Sequence, residues 1–345
     1  MQKINAHIEI VRSSIPELSS MGEKSCIMLQ NLLAKYYTNV GITLVNNISD
    51  LDKLILTDPD LVFLGVKKLP LKPIVVSSAM IWASKYLEQK GINYSGSMSD
   101  AIALDFSKPL AKKVILNAGL KTSDYFTAKV GQYNESSILP IDYPLFIKPP
   151  NEGGGKGVDP DSVVHNFSGF ESKVKIISSD FGSVSLVEKF LTGREYSVAI
   201  LDISGSDEFI AMPIEIVAGK NLYGDRILGR TVKSEDSESV IPVEDIELSD
   251  KLKEFAISAY QALGARDYGR IDIRLDENDI PHFLEANLIP GLAYHEFTSY
   301  FTSACLISGL FDYETMVLHI VQLGLSRKTI GDSLTQDVLS TVPTK

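Results

Sequence analysis

The stretch GRIDIRLDENDIPHFLEANLIPG, residues 269–291, alternates apolar and polar side chains, and this two-residue period constrains the chain more than any other feature. Ile271, Ile273 and Leu275 alternate with Asp272, Arg274 and Asp276, the pattern of a strand with one apolar face. A turn over Glu277 to Asp279 leads to a second run, HFLEAN, in which Glu285 and Asn287 stand two apart and share a face. Hairpin pairing of the two strands brings Asp272 beside them. Two carboxylates and an amide oxygen form a hard, partly filled shell of the kind that holds Mg²⁺, which keeps its other positions for water and phosphate oxygens. An ordinary charged surface hairpin shows the same alternation, so other segments must decide between the two.

The balance of 44% hydrophobic and 22% charged residues is that of a globular protein, and 345 residues suffice for two or three domains with full cores. No apolar run approaches the roughly 18 residues needed to cross a bilayer. The opening MQKINAHIEIVR is a charged lead into a strand rather than a signal-peptide core. The expectation is a cytoplasmic protein with no membrane partner. A net charge of −11 excludes a general nucleic-acid surface, which needs clustered Lys and Arg. Cys26 and Cys305 lie in distant segments and suggest buried thiols, not a disulfide or thiolate metal site. His7, His165, His282 and His295 show no metal-ligand spacing.

Along the first 95 residues strand-like pieces (HIEIV, GITLV, DLVFLGV, INYSG) alternate with helices expected over 24–37 and 78–90, implying a small parallel α/β domain. SDAIALDFSKPLAKKVILNAGL reads as two helices broken near Pro109 and ended at Gly119. PLFIKPP, SLVEKF, EYSVAIL and FIAMPIEI then read as an antiparallel set of strands, and the polar stretch 218–240 as a long functional loop. A helix over 248–263 precedes the hairpin, helical spacing returns over 297–323, and the end reads as a loosely held tail. The expected division is 1–95 as an N-terminal α/β domain, 96–182 as a central subdomain, 183–330 as a C-terminal subdomain with the metal residues, and 331–345 as the tail.

Lys148 closes the apolar strand PLFI and is followed by PPNEGGGKGV. Gly153, Gly154, Gly155 and Gly157 form a loop whose backbone N–H groups can approach an anion unhindered. The loop fits neither G-x-x-x-x-G-K-[ST] nor G-x-G-x-x-G, so it reads either as a hairpin lid over phosphates or as a flexible turn. In SLVEKFLTGREYSVAIL the backbone of Lys189 to Leu191 can present N–H and C=O groups to an adenine edge. Glu188 or Glu195 can accept from an amino group or ribose hydroxyls, or simply be solvated.

In this order SKPLAKK, FIKPPNEGGGKGV, LVEKFLTGREYSVAIL, PIEI and YGRIDIRLDENDIPHFLEANLIPG resemble the ATP-grasp superfamily, most closely the D-alanine–D-alanine ligase family, over about residues 95–310. The resemblance implies an ATP-grasp fold with a preATP-grasp α/β domain and ATP held between two antiparallel or mixed sheets. It implies an ADP-forming carboxylate–amine ligase working through an acyl phosphate. On that pattern Lys108 and Lys148 contact the phosphates, the loop Glu152 to Gly157 covers them, and Glu188, Lys189, Leu191 and Glu195 hold adenine and ribose. Asp272, Glu285 and Asn287 bind two Mg²⁺ ions, with Mn²⁺ as a substitute, and Arg270 stabilises oxyanion charge; Arg270, Lys148 and Gly154 fill the catalytic positions. Small amino-acid or carboxylic-acid substrates follow, as does a homodimer formed through the first domain.

The chain departs from that pattern in three places. VRSSIPELSSMGEKS and LGVKKLPLKPIVVSSAM replace the family's Ser-Ala-Glu element and its His-Gly-x-x-Gly-Glu-Asp-Gly stretch, leaving Glu17 to stand for the orienting glutamate. Gly154 stands where the family usually has Ser, and Glu296 where a Ser receives the acceptor carboxylate. Two facing carboxylates repel by roughly 1 to 4 kcal/mol at ~4 Å, which speaks against free D-alanine as acceptor. The expectation is intact ATP machinery with rebuilt amino-acid pockets. A divergent D-alanine–D-alanine ligase and a catalytically silent nucleotide-binding module are the alternatives.

Overall fold

In the computed structural model, which describes residues 2–72, 79–203, 208–221, 223–235, 237–294 and 298–327, three sheets meet around the glycine loop and the charged hairpin. The first is parallel, in the order β2 (Tyr37–Leu44), β1 (Ile4–Arg12), β3 (Leu61–Leu64). Its crossovers run through α1 (Glu23–Leu33) and α2 (Ile48–Ile55). β3 is a continuous apolar run because both its faces are covered: Leu61 and Phe63 pack with the C-terminal helix, Val62 and Leu64 with Leu51 and Tyr94. A small hairpin, β4 (Lys68–Pro70) and β5 (Met80–Trp82), leads to α3 (Ala83–Lys90), α4 (Ser99–Phe106) and α5 (Lys108–Asn117). Pro109 sits in the first turn of α5, where a missing N–H costs no helical bond, and Gly119 (φ 77°) ends the segment in the left-handed region.

The second sheet is antiparallel, in the order β6 (Tyr125–Ala128), β9 (Ser185–Lys189), β7 (Leu145–Lys148), β8 (Val163–Val164), backed by α6 (Phe167–Phe181). The third is also antiparallel: β12 (Ser239–Pro242), β11 (Phe209–Val217), β10 (Glu195–Asp202), β13 (Tyr268–Leu275), β14 (Pro281–Asn287). α7 (Arg230–Glu235) and α8 (Ile246–Ala262) lie between β11 and β13 in sequence, and α9 (Tyr300–Ile307) and α10 (Tyr313–Ser326) follow. No helix among the described residues is long and apolar enough to cross a membrane. Cys26 and Cys305 are both buried free thiols.

Several local expectations need correction. The four strands read as one antiparallel set divide between two sheets, because β9 and β10 are parted by the linker 190–194 and pair with different neighbours. INYSG is no strand; it touches β3 through a single bridge, Val62 to Tyr94. The helix expected from 78 begins at Ala83, after β5. α2 escaped the reading, although Asn47 caps it by accepting from the Ser49 N–H, and Ile48, Leu51 and Leu54 form its buried stripe. The stretch 218–240 holds one helical turn and a half, α7.

Candidate active site

Strand pairing sets the hairpin's charged face. β13 and β14 pair with Arg270 opposite Asn287 and Asp272 opposite Glu285, followed by a bulge that offsets Ile273 to Phe283. Ile271, Ile273 and Leu275 pack against α8 residues Leu252, Ala256 and Ala259. The opposite face is buried as well: Arg270, Asp272 and Arg274 are only 7–8% exposed. That rules out an ordinary surface hairpin, since ionised groups are buried only when paired or hydrogen-bonded. Arg270 donates two hydrogen bonds to Asp272 (2.8 and 2.9 Å), whose carboxylate also accepts from Ser197 Oγ at 2.7 Å. Asp272 outweighs the desolvation of Arg270 and holds its guanidinium above the usual range.

The facing wall is a buried ionic cluster on β7, β9 and α5. Glu188 takes the ammoniums of Lys112 at 2.8 Å and Lys148 at 2.9 Å. Burial pushes Lys112 down to about 8, against the pull of Glu188. For Lys148 burial also opposes the charge, but Glu188 and Glu285 win and hold it above its usual value. Glu188 itself is pushed up by burial and more than brought back by the two lysines, so it stays ionised. Two ammoniums against one carboxylate leave a net positive wall.

Lys108 joins the two walls. Its ammonium donates to the Glu152 carbonyl in the glycine loop and pairs with Glu285 at 3.2 Å. Within that loop Gly154, Gly155 and Gly157 all have positive φ.

Two cavities meet here. A narrow one of about 80 Å³ lies between the second and third sheets, with Lys148, Glu188, Lys189, Leu191, Glu195 and Asp272 in its wall, together with Gly155. A wide cleft of about 770 Å³ opens toward the parallel sheet and takes in Glu17, Gly153, Gly154, Arg270 and Asn287. Lys108, Glu152, Lys156 and Glu285 line both. Gly157 lies apart from both, packed on Pro149. Glu296 lies outside the described residues.

Glu188 is engaged by two lysines, which differs from the expected use of its side chain toward an amino group or ribose; the Lys189 ammonium donates to the carbonyls of Asp142 and Tyr143. The Lys189–Leu191 backbone still borders the narrow cavity.

Four further side chains border or brace the site without having been singled out from the sequence. Lys112 is one helical turn after Lys108, and Arg274 continues the alternation of Arg270 and Asp272 to pair with Glu195 at 3.3 Å. Ser197 alternates with Glu195 on β10, in register with Asp272. Lys67 carried no local signal; its ammonium reaches Asp105 and Asn287, the latter 220 positions away.

Among the described residues no three His, Cys, Asp or Glu side chains gather to hold a metal by themselves. Asp272, Glu285 and Asn287 form a two-carboxylate, one-amide set, which suits a hard cation that draws its other ligands from phosphate and water.

The family described as D-ala D-ala ligase C-terminus matches residues 114–322. Over 247 residues the chain is 30% identical to the D-alanine–D-alanine ligase of Desulfotalea psychrophila, covering 70% of this chain and 73% of that protein. It is 33% identical over 213 residues to that of Bordetella pertussis, covering 61% and 64%. Among solved structures, the D-alanine–D-alanine ligase of Bacillus anthracis complexed with ATP shares the fold, with a TM-score of 0.71 at 20% identity over 94% of this chain and 100% of that one.

Proposed function

The chain belongs to the D-alanine–D-alanine ligase family of ATP-dependent, ADP-forming ligases, and we propose that it joins an amino acid or small carboxylic acid to an amine in pockets rebuilt away from free D-alanine. One observation carries this reading: the two cavities share Lys108, Glu152, Lys156 and Glu285. A phosphoryl donor on one side and a carboxylate acceptor on the other then face each other across one charged junction.

ATP would enter the narrow cavity with adenine against the Lys189–Leu191 backbone and ribose near Glu195. Lys148, held by Glu188 with Lys112 behind it, and Lys108 would receive the phosphates, and the loop 152–157 would cover them. Asp272 and Glu285, with the Asn287 amide beside them, would hold Mg²⁺, which when bound cancels phosphate charge. The γ-phosphoryl group passes to the substrate carboxylate and ADP leaves; the amine then attacks the acyl carbon and expels phosphate. Such chemistry needs positioning and charge cancellation more than covalent help. Arg270, aimed into the wide cleft and fixed in place by Asp272, is the oxyanion donor; loss of one such donor costs roughly 10²- to 10³-fold in rate.

The rebuilt pockets are supported by the charges in the wide cleft, whose walls include Glu17, Lys67 and Lys68. The relatives' names favour a second reading, synthesis of D-alanyl-D-alanine itself. ADP formation and product mass, measured with Mg·ATP across a matrix of D- and L-amino acids and dipeptides, separate the two. D-alanine as sole efficient substrate overturns the rebuilt pockets; ATP turnover with no member of the panel counts against ligase activity and for the silent module.

A further inference from the structure

Lys67 enters β4 with its ammonium between two oxygens, Asp105 Oδ2 at 2.9 Å and Asn287 Oδ1 at 3.2 Å. Asp105 is held in turn by the backbone N–H of Leu288 at 2.8 Å, one residue beyond Asn287. The chain of contacts closes on the end of β14, so the ammonium is fixed by the protein alone. Its carboxylate partner is 8% exposed, and departure of Lys67 would strand that charge in a dry place. A Mg²⁺ ion on Asn287 Oδ1 would bind at about 2.0–2.1 Å and so stand beside the ammonium on the same oxygen. Two cations crowding one amide oxygen repel, and the covalently attached one cannot diffuse away. The other two metal residues are carboxylates, whose negative charge can offset a second cation: Glu285 pairs with the buried Lys108 at 3.2 Å and Asp272 with Arg270 at 2.8 Å, whereas Asn287 offers only a neutral amide oxygen.

We infer that Lys67 supplies the positive charge at Asn287 in place of a second metal ion, and that the site takes one divalent cation, held by Asp272 and Glu285. This departs from the two ions that the sequence resemblance implies, and it rests on the ligase reading of the same site. Functionally, Lys67 is a fixed countercharge at the junction where a phosphorylated carboxylate forms, and Asn287 serves as its anchor instead of as a ligand.

Counting Mn²⁺ tests it directly. The full chain is titrated with Mn²⁺ in the presence of a non-hydrolysable ATP analogue, and free Mn²⁺ is read by electron paramagnetic resonance. The wild type should saturate at one ion per chain, whereas Lys67→Met should take up a second at least tenfold more tightly than the wild type does. Two ions on the wild type overturn the inference, with no variant needed. A single ion on both proteins also overturns it, since Lys67 then excludes nothing. Absence of Mn²⁺ and nucleotide binding together with absence of ADP formation removes the ligase reading and this inference with it; ADP formation with two bound ions removes the inference alone.

Discussion

Lys112 has no exposed surface, and its ammonium is spent on Glu188, Thr122 and Ser123 at 2.8, 2.6 and 3.2 Å. It touches neither cavity, so its effect on any ligand passes through Glu188, which it shares with Lys148. Lys112→Met leaves Glu188 to Lys148 alone, and the predicted result is a Lys148 drawn back from the cavity and a KM for ATP raised roughly tenfold, about 1.4 kcal/mol. Stability gives an independent signature. In the folded chain Lys112 titrates near 8 against 10.5 for the free group. Between those values the unfolded chain holds a proton that the folded chain has released, so raising the pH favours folding. Wild type should therefore gain on Lys112→Met, on the order of 1 kcal/mol per pH unit, as pH rises from about 8 to 10.5. A difference in Tm between the two proteins that stays flat over this window would show that Lys112 is not the desolvated cation described here.

The glycine loop and the hairpin show how elements turn local sequence into a site. Gly157 (φ 74°) would place a Cβ 2.5 Å from Pro149 Cγ, against the residue that positions the loop after Lys148. Gly154 (φ 64°) has nothing within 4 Å of its Cβ position. Gly157→Ala meets both a left-handed backbone cost of about 1–2 kcal/mol and an overpacking cost of about 1–3 kcal/mol. Gly154→Ala meets only the first. The expected outcome is a Tm lowered by roughly 5 °C or more for Gly157→Ala and clearly less for Gly154→Ala, read by thermal melts of the two variants. Equal shifts would mean the contact with Pro149 does not matter. At this scale the sequence was most informative where period and burial coincide. That Asp272, Glu285 and Asn287 share one face of the hairpin follows from alternation, whereas their register, shifted by a bulge after Asp272, does not; the α4–α5 break follows from Pro109. It was least informative for α2, eight residues whose helical stripe is three side chains long, and for INYSG, whose hydrophobic look comes from packing beside β3 without joining it.

Across the whole molecule, what alternation cannot encode is which elements meet. Lys67 and Asn287 lie 220 positions apart, and nothing local in LGVKKLP marks Lys67 as the one that reaches Asn287 while Lys68 turns to the rings of Phe106 and Trp82. The cores cross in the same way: α10 packs on the parallel sheet, so the first and last parts of the chain share one hydrophobic cluster. The second sheet is different, with a smaller cluster of its own built from β7, β9 and α6. It meets α5, which packs on β14 of the third sheet, through polar contacts such as Glu188 to Lys112 and the Glu152 carbonyl to Lys108, beside one small apolar cluster of Val163, Phe190 and Ile227. A separately packed body joined by polar contacts can move as a unit. The cavity between the sheets, about 80 Å³, is well below the roughly 300–1,000 Å³ of ligand clefts, so on the proposed reading a nucleotide would part them on entry. Bound there, it would bridge Lys148 on one sheet and the wall that carries Glu195 and Asp272 on the other. Hydrogen exchange with Mg²⁺ and a non-hydrolysable ATP analogue should therefore slow together in the loop 151–158, in the linker 190–194 and in the hairpin β13–β14, by about tenfold or more. Protection confined to the second sheet, or to the hairpin alone, would mean that the nucleotide does not lie between them.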